Sequence, residues 1–451
     1  MPIARNSLIH EATSLYRLVD SIDRLVAEHE GSFAYSAANQ RFFSEIRNYA
    51  AAAKKSVSRI VESASQTEEE SASRYEGELI IQKGHWKTLH TYVKPATEAH
   101  TLNLPMPLIE LAEGHIRNIP GMGESSVVIL LTPALMYYQV PESQLSLDLV
   151  FVEVPYSQGP GFFSNLTIYH EIGHHVFDRL AADDHLPFKA LAEAQERAFA
   201  EKLGQLPSPK NRDWIRGVLD AWTKEVFCDL FASRHLGPAY SFALIDFFSL
   251  ISLMGPETEA AFDRDHPAPA MRFRELVRRL KEDGWWTVIA DLPSEHVGLL
   301  NRLAGIEEYA FLYGENQMPD AFIGAFEKVI EFIHALVIEI TPYCGTAAED
   351  FRMRRAHIEN CFLHGVVPSQ LILEGQALSP LPVSMINAAY CFYLTRIPDL
   401  MERFEDRKAS VLKDRRDSIE RLEAWAMKGI EDFQLYERLQ TNGKDGLREQ
   451  E

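Results

Sequence analysis

Residues 165–177, Asn-Leu-Thr-Ile-Tyr-His-Glu-Ile-Gly-His-His-Val-Phe, constrain the chain more than any other stretch, because they put His170 and His174 four residues apart in what reads as one helix. Tyr169, Ile172, Val176 and Leu180 recur at three- and four-residue steps, Asn165 or Ser164 can cap the start, and Asp183 and Asp184 mark the exit. Residues four apart on a helix lie one turn above each other, so two imidazoles at this spacing converge on one point. The expected occupant is Zn2+, which accepts neutral imidazole nitrogen and in catalytic sites takes three protein ligands, leaving one position open. Glu171 lies on the edge of the same face, where its carboxylate can take a proton from a water without being forced to ligate. The alternative is a helix whose histidines face solvent. The apolar neighbours argue against it, since a partly buried face makes unpaired imidazoles costly.

A third ligand must come from another element, and residues 213–236 read as a second long helix, with Trp214, Val218, Trp222, Val226 and Leu230 on one side and Gly237-Pro238 closing it. Glu225 and Asp229 are four apart on it and share a face. In the metal reading Glu225 is the third ligand, and Asp229 accepts the outer N–H of a ligand histidine, fixing its tautomer. In the plain reading the pair is a solvated acidic edge. Further on, Asp265-His266-Pro267 leads to Arg272. His266 and Arg272 are candidate donors to the oxyanion of a tetrahedral intermediate, although the segment alone is a loop before a basic helix start. His175 points about 100° away from His174, which assigns it a supporting or surface place, and His85, His90, His100 and His115 share no spacing.

These three blocks, His170-Glu171-Ile172-Gly173-His174, Glu225 to Asp229, and His266-Pro267 to Arg272, together resemble the gluzincin metallopeptidases, most closely the family of the CAAX prenyl endopeptidases and the bacterial heat-shock membrane peptidases. The resemblance covers about residues 120–285. It implies two ligands and the general base from the first block, a ligand and its supporting Asp from the second, and transition-state contacts from the third. The chain departs from the family in having no hydrophobic span and in carrying Cys228 where a small residue is usual, so membrane location and prenylated substrates do not carry over.

The 451 residues, 46% of them hydrophobic, suffice for a large core and more than one domain. A formal net charge of -20 argues against nucleic acid or an anionic membrane as the principal partner. The N-terminus lacks an apolar signal core and no run of about 18 uncharged apolar residues exists, so no membrane insertion is expected. The four cysteines form no C-x-x-C pair, which fits a reducing cytoplasm. Apolar spacing predicts a helical hairpin over residues 5–62, either an interaction arm or a packed cap, and residues 63–74 read as a surface linker. Strands are expected at residues 78–82, 126–131 and 148–154, and helices over 301–342, 347–364, 383–395 and 398–440.

The fold expected is therefore α+β, a zincin-like metallopeptidase core with a small sheet flanked by mainly helical N- and C-terminal regions. The expected division is an N-terminal helical hairpin (1–70), the zincin-like domain (71–295), a C-terminal helical region (296–440) and a disordered tail (441–451). The expected activity is hydrolysis of a peptide or protein, with a regulatory partner or self-association through the helical regions. Two alternatives stand beside it: a regulatory metalloprotease of the ImmA/IrrE kind, and a helical interaction protein with a structural or vestigial zinc site.

Overall fold

The computed structural model describes residues 5–29, 37–66, 73–101, 106–123, 125–132, 138–140, 149–155, 161–182, 186–203, 209–251, 253–255, 257–311, 320–342, 344, 347–369, 371–373, 376–378, 381–404 and 411–448. The chain divides into two compact units: residues 1–106 with 124–160, and residues 107–123 with 161–451. This differs from the expected division. The small sheet belongs with the N-terminal helices, and everything after residue 296 belongs with the motif-bearing helices.

In the first unit α1 (Arg5–His29) and α2 (Ala37–Gln66) form the expected hairpin. Leu8, Ala12, Leu15, Val19, Ile22 and Val26 are buried in a shared core with Phe42, Ile46, Ala53, Val57 and Ile60, the stripe that steps of three and four place on one face. Lys54 clips the pair, donating to Asp20 at 2.8 Å and Asp23 at 2.7 Å. Residues 78–82 are not a strand; they lie inside α3 (Ser73–Thr101). Leu79 is buried, whereas Ile80 and Ile81 are 60% and 58% exposed. A strand would have sent 79 and 81 to the same face, and one buried residue in three is the signature of a helix. The apolar triplet was too short to separate the two by pattern.

The other two expected strands are present. β1 (Ser126–Thr132) pairs in parallel with β3 (Leu149–Pro155), from Ser126 opposite Leu149 to Thr132 opposite Pro155, and β2 (Tyr138–Val140) pairs antiparallel with the other side of β3. Val127 to Leu130 are all buried, as a parallel strand covered on both faces requires. Phe151 of β3 meets Phe42 of α2 edge-on at 5.7 Å and stacks on Tyr92 of α3 at 5.0 Å.

The second unit is mainly helical. It comprises α4 (Met106–Arg117), a 3-10 turn (Ser164–Thr167) running into α5 (Ile168–Ala182), α6 (Leu186–Leu203), α7 (Pro209–Leu236), α8 (Pro238–Leu250), α9 (Pro269–Glu282), α10 (Trp286–Ile289), α11 (Glu295–Ala304), α12 (Asp320–Ile340), α13 (Ala347–Leu363), α14 (Pro382–Phe404) and α15 (Val411–Arg448). Two short ladders complete it, β4 (Ala261–Phe262) with β5 (Ala310–Phe311) and β6 (Leu371–Leu373) with β7 (Gln376–Leu378). The helix expected over 301–342 is thus broken into α11, β5 and α12, α14 runs through Pro398, and the polar segment after Thr441 continues α15 as far as Arg448.

α7 is the hub, packing against α5, α9 and α12. It ends where Gly237 adopts φ 62°, and a Cβ there would stand 2.8 Å from the Trp285 ring, so only glycine fits. Asn387 of α14 spans the break, donating from Nδ2 to Leu236 O at 2.8 Å and accepting from Ala239 N at 2.9 Å. The sharp turn lays α8 back beside α7, which matters for the site. Among the described residues no helix is long and apolar enough to cross a membrane, and all four cysteines are free.

Candidate metal centre

Gly173 decides how closely α5 and α7 approach. A Cβ at this position would lie 3.0 Å from Cys228 Cα, 3.1 Å from its Cβ and 3.2 Å from its Sγ, so the helices cross nearly backbone to backbone. The crossing carries His170 and His174 of α5 up to Glu225 and Asp229 of α7. Ahead of α5 the Ser164 and Asn165 side chains both donate to Gly161 O. Glu423, on α15, accepts from Phe163 N at 3.1 Å ahead of the 3-10 turn.

The first two sequence blocks meet as expected. His170 Nε2 lies 3.3 Å from Glu225 Oε2, and His174 Nε2 lies 3.3 Å from Glu225 Oε1. The two rings stand nearly perpendicular with centroids 4.8 Å apart. His170 and Glu225 are buried, and His174 is half-buried. On the far side of the ring, His170 Nδ1 is 2.9 Å from Asp229 Oδ1. Asp229 is only 1% exposed and saturated with donors: Arg272 gives it Nε at 2.6 Å and Nη2 at 2.7 Å, and the Tyr240 hydroxyl donates at 2.6 Å. Burial disfavours the Asp229 carboxylate, but the Arg272 guanidinium and the His170 contact outweigh it and bring the group down to about 2.

This arrangement fixes chemistry. With Nδ1–H donated to Asp229, a neutral His170 turns a bare Nε2 lone pair toward a carboxylate oxygen at 3.3 Å, which is repulsive unless a proton or a cation lies between. Burial opposes a proton, yet the Glu225 charge and the hydrogen bonds to Asp229 and Glu225 prevail and push His170 up to about 10. Glu225 is held well below the usual range against its burial, first by His170, then by His174 and Arg272. A divalent cation answers the same demand. Donors at about 2.0 Å in tetrahedral array stand about 3.3 Å apart, the separation found for both histidine–Glu225 pairs. The two distances run to different Glu225 oxygens, and the compact donor group among the described residues joins His170 and His174 to Cys228 rather than to Glu225, so these side chains are candidate donors to one divalent cation.

Arg272 and His175 take places that helix spacing alone did not define. Arg272 is 6% exposed, forked on Asp229, 3.3 Å from Glu225 through Nη1, with its guanidinium 5.2 Å over the Phe248 ring. It is a positioning residue for Asp229 and Glu225. His175 is buried, which leaves the supporting place of the two expected for it. His266, in contrast, is about half exposed, with Nδ1 3.2 Å from Asp263 Oδ1, the oxygen that also accepts from His266 N at 2.6 Å and Asp265 N at 2.8 Å. The hydrogen bond to Asp263 raises its imidazole above the ordinary value, burial opposes this, and the Glu225 charge adds to the rise. Glu171 is half-buried on α5, one residue from His170.

Three groups were missed. Tyr240 reaches Asp229 only because α8 folds back at Gly237. Cys228 brings its sulfur close to both histidines: the ligating atoms of His170, His174 and Cys228 all lie within 4.8 Å of one another. Its thiol is pushed well above the usual value by burial and then by the Glu225 charge. Behind α5, Tyr169 Oη is 3.1 Å from His115 Nδ1, and the His115 ring stacks on His235 at 4.5 Å. Burial lowers His115 to about 4, so this pair stays neutral. The side chains of His85, His90 and His100 lie outside the described residues.

Comparison with known proteins finds no family model, curated protein or solved structure that matches the chain.

Proposed function

We propose that this chain is a zinc-dependent peptidase with a zincin-like core, in which His170, His174 and Glu225 hold the ion. One observation carries the reading: Glu225 faces both histidines at 3.3 Å while Asp229 occupies the outer nitrogen of His170, an arrangement that a bound divalent cation would satisfy. Zinc bound there would supply Lewis acidity to a scissile carbonyl and lower the pKa of a water. Glu171 takes a proton from the attacking water and delivers it to the leaving amine. His266, held by Asp263 and raised toward its charged form, donates to the oxyanion. Asp229, with Arg272 and Tyr240 behind it, locks the His170 tautomer so that Nε2 faces the ion. The substrate class is peptide or protein, and the net charge of -20 disfavours nucleic acid.

A structural, closed zinc site is the competing reading, and the nearness of Cys228 favours it. Metal analysis of the purified protein paired with a broad peptide-library digest separates the two. One zinc per chain, lost in Glu225→Ala, with cleavage by the wild type, supports the peptidase. Full zinc occupancy in Glu225→Ala would show the ligand assignment to be wrong, and zinc without cleavage of any library member favours the structural site.

A further inference from the structure

Glu225 and Cys228 are three apart on α7 and Glu225 and Asp229 four apart, so all three project from neighbouring positions of one helical face toward α5. Gly173 then removes any side chain that would hold Cys228 away: its Sγ is 3.2 Å from where a Gly173 Cβ would be, on the helix that carries both histidines. The sulfur is fully buried and has the two imidazoles within 4.8 Å. Tetrahedral zinc with nitrogen at about 2.0 Å and sulfur at about 2.3 Å separates the two donors by about 3.5 Å.

We propose that Cys228 is a fourth protein donor to this centre, so that the resting site is closed by sulfur in the position that an open catalytic site keeps free. The inference rests on the metal-site reading above and adds regulation to it. Two consequences distinguish a donor set of two histidines, a glutamate and a cysteine from the same set without sulfur. The softer set favours zinc and cadmium over manganese and magnesium more strongly than nitrogen and oxygen donors alone. Closure by Cys228 also slows hydrolysis without abolishing it, so removal of the sulfur raises the rate. The departure from small residues before Asp229 then has a chemical role beyond filling the helix crossing.

Cobalt reports on the proposal directly, because a thiolate bound to Co2+ gives an intense near-ultraviolet charge-transfer band that nitrogen and oxygen donors do not. The full-length protein is stripped of metal and titrated with Co2+, alongside Cys228→Ser and Cys344→Ser, with folding checked by circular dichroism. The expected result is a sulfur-to-cobalt band saturating at one equivalent in the wild type, kept in Cys344→Ser and absent from Cys228→Ser. The serine variant still binds cobalt, with its visible d–d spectrum shifted, and weaker by about 10-fold or more. One equivalent of cobalt bound without a charge-transfer band, or a band that survives Cys228→Ser, overturns Cys228 as a ligand and leaves the zinc-site reading standing. Failure of the wild type to bind cobalt, zinc or cadmium at all would overturn the zinc-site reading and this inference with it. If Cys228→Ser does not fold, Cys228→Ala, which only removes an atom from the crossing, is read in its place.

Discussion

Arg272 grips Asp229 through two nitrogens, Nε to Oδ2 at 2.6 Å and Nη2 to Oδ1 at 2.7 Å, in a pocket where both side chains are almost wholly buried. Such a fork holds the carboxylate plane, and through it the His170 ring, in one orientation. Removing one partner strands the other charge in the interior. Arg272→Met should therefore lower stability by about 3–5 kcal/mol and weaken zinc binding by roughly 10–100-fold, read by urea unfolding and by competition with a chromogenic chelator. If the variant bound zinc as tightly as the wild type and lost only kcat, Arg272 would belong with the transition state, as the motif resemblance implies.

Glu171 and His266 should separate chemistry from metal binding. Glu171→Gln keeps the shape of the side chain and loses the base, so zinc content and fold persist while hydrolysis disappears. His266→Ala should reduce kcat by about 10²-fold with zinc content unchanged, the effect expected for a lost oxyanion donor. Turnover near the wild-type rate in Glu171→Gln would sink the mechanism, and a His266 effect confined to KM would move that residue to substrate binding.

Gly173→Ala tests the helix crossing. Its new methyl would press on the Cys228 backbone at 3.0 Å, and neither α5 nor α7 can yield without moving His170, His174 or Glu225. The variant should lose about 1–3 kcal/mol of stability and bind zinc more weakly, and the double variant Gly173→Ala with Cys228→Ala should recover little, because Cα is the nearest atom. Unchanged zinc affinity would show that the ligand geometry does not depend on this approach.

What could be read in advance follows the range of the interactions. His170, His174, Glu225 and Asp229 were legible because helix periodicity alone puts each pair on one face, and the hairpin seam of α1 and α2 was legible for the same reason. Tyr240, the grip of Arg272 and the nearness of Cys228 depend on a reversal at Gly237 and a crossing at Gly173, which no local pattern encodes. Residues 78–82 show the converse: their β-branched pair favours a strand locally, and α3 overrides it by burying Leu79 alone. The strands of residues 126–132 and 149–155 were found, but their grouping with the N-terminal helices depends on long-range packing.

Glu423 gives a pH dependence whose sign can be worked out. Its carboxyl accepts the Phe163 N–H just ahead of α5, and burial raises it from 4.5 to about 7, against the hydrogen bonds from Phe163 and Phe162 and with the Glu420 charge adding to the rise. A carboxyl whose folded pKa exceeds its unfolded one binds more protons in the native state, so its contribution favours folding below about 4.5 and is lost as pH rises to about 7. The loss amounts to ~3 kcal/mol at most, at about 1.4 kcal/mol per unit. Glu423→Gln keeps an oxygen acceptor for Phe163 and cannot ionise. Compared with the wild type, the variant should therefore gain relative stability steadily between about pH 4.5 and 7 and keep that gain at about pH 8, as measured by denaturant unfolding at fixed ionic strength. The subtraction removes the titration of every other group. A wild-type minus variant difference that is flat across this window, or that slopes the other way, would mean that Glu423 caps the start of the α5 segment as an ordinary ionised carboxylate.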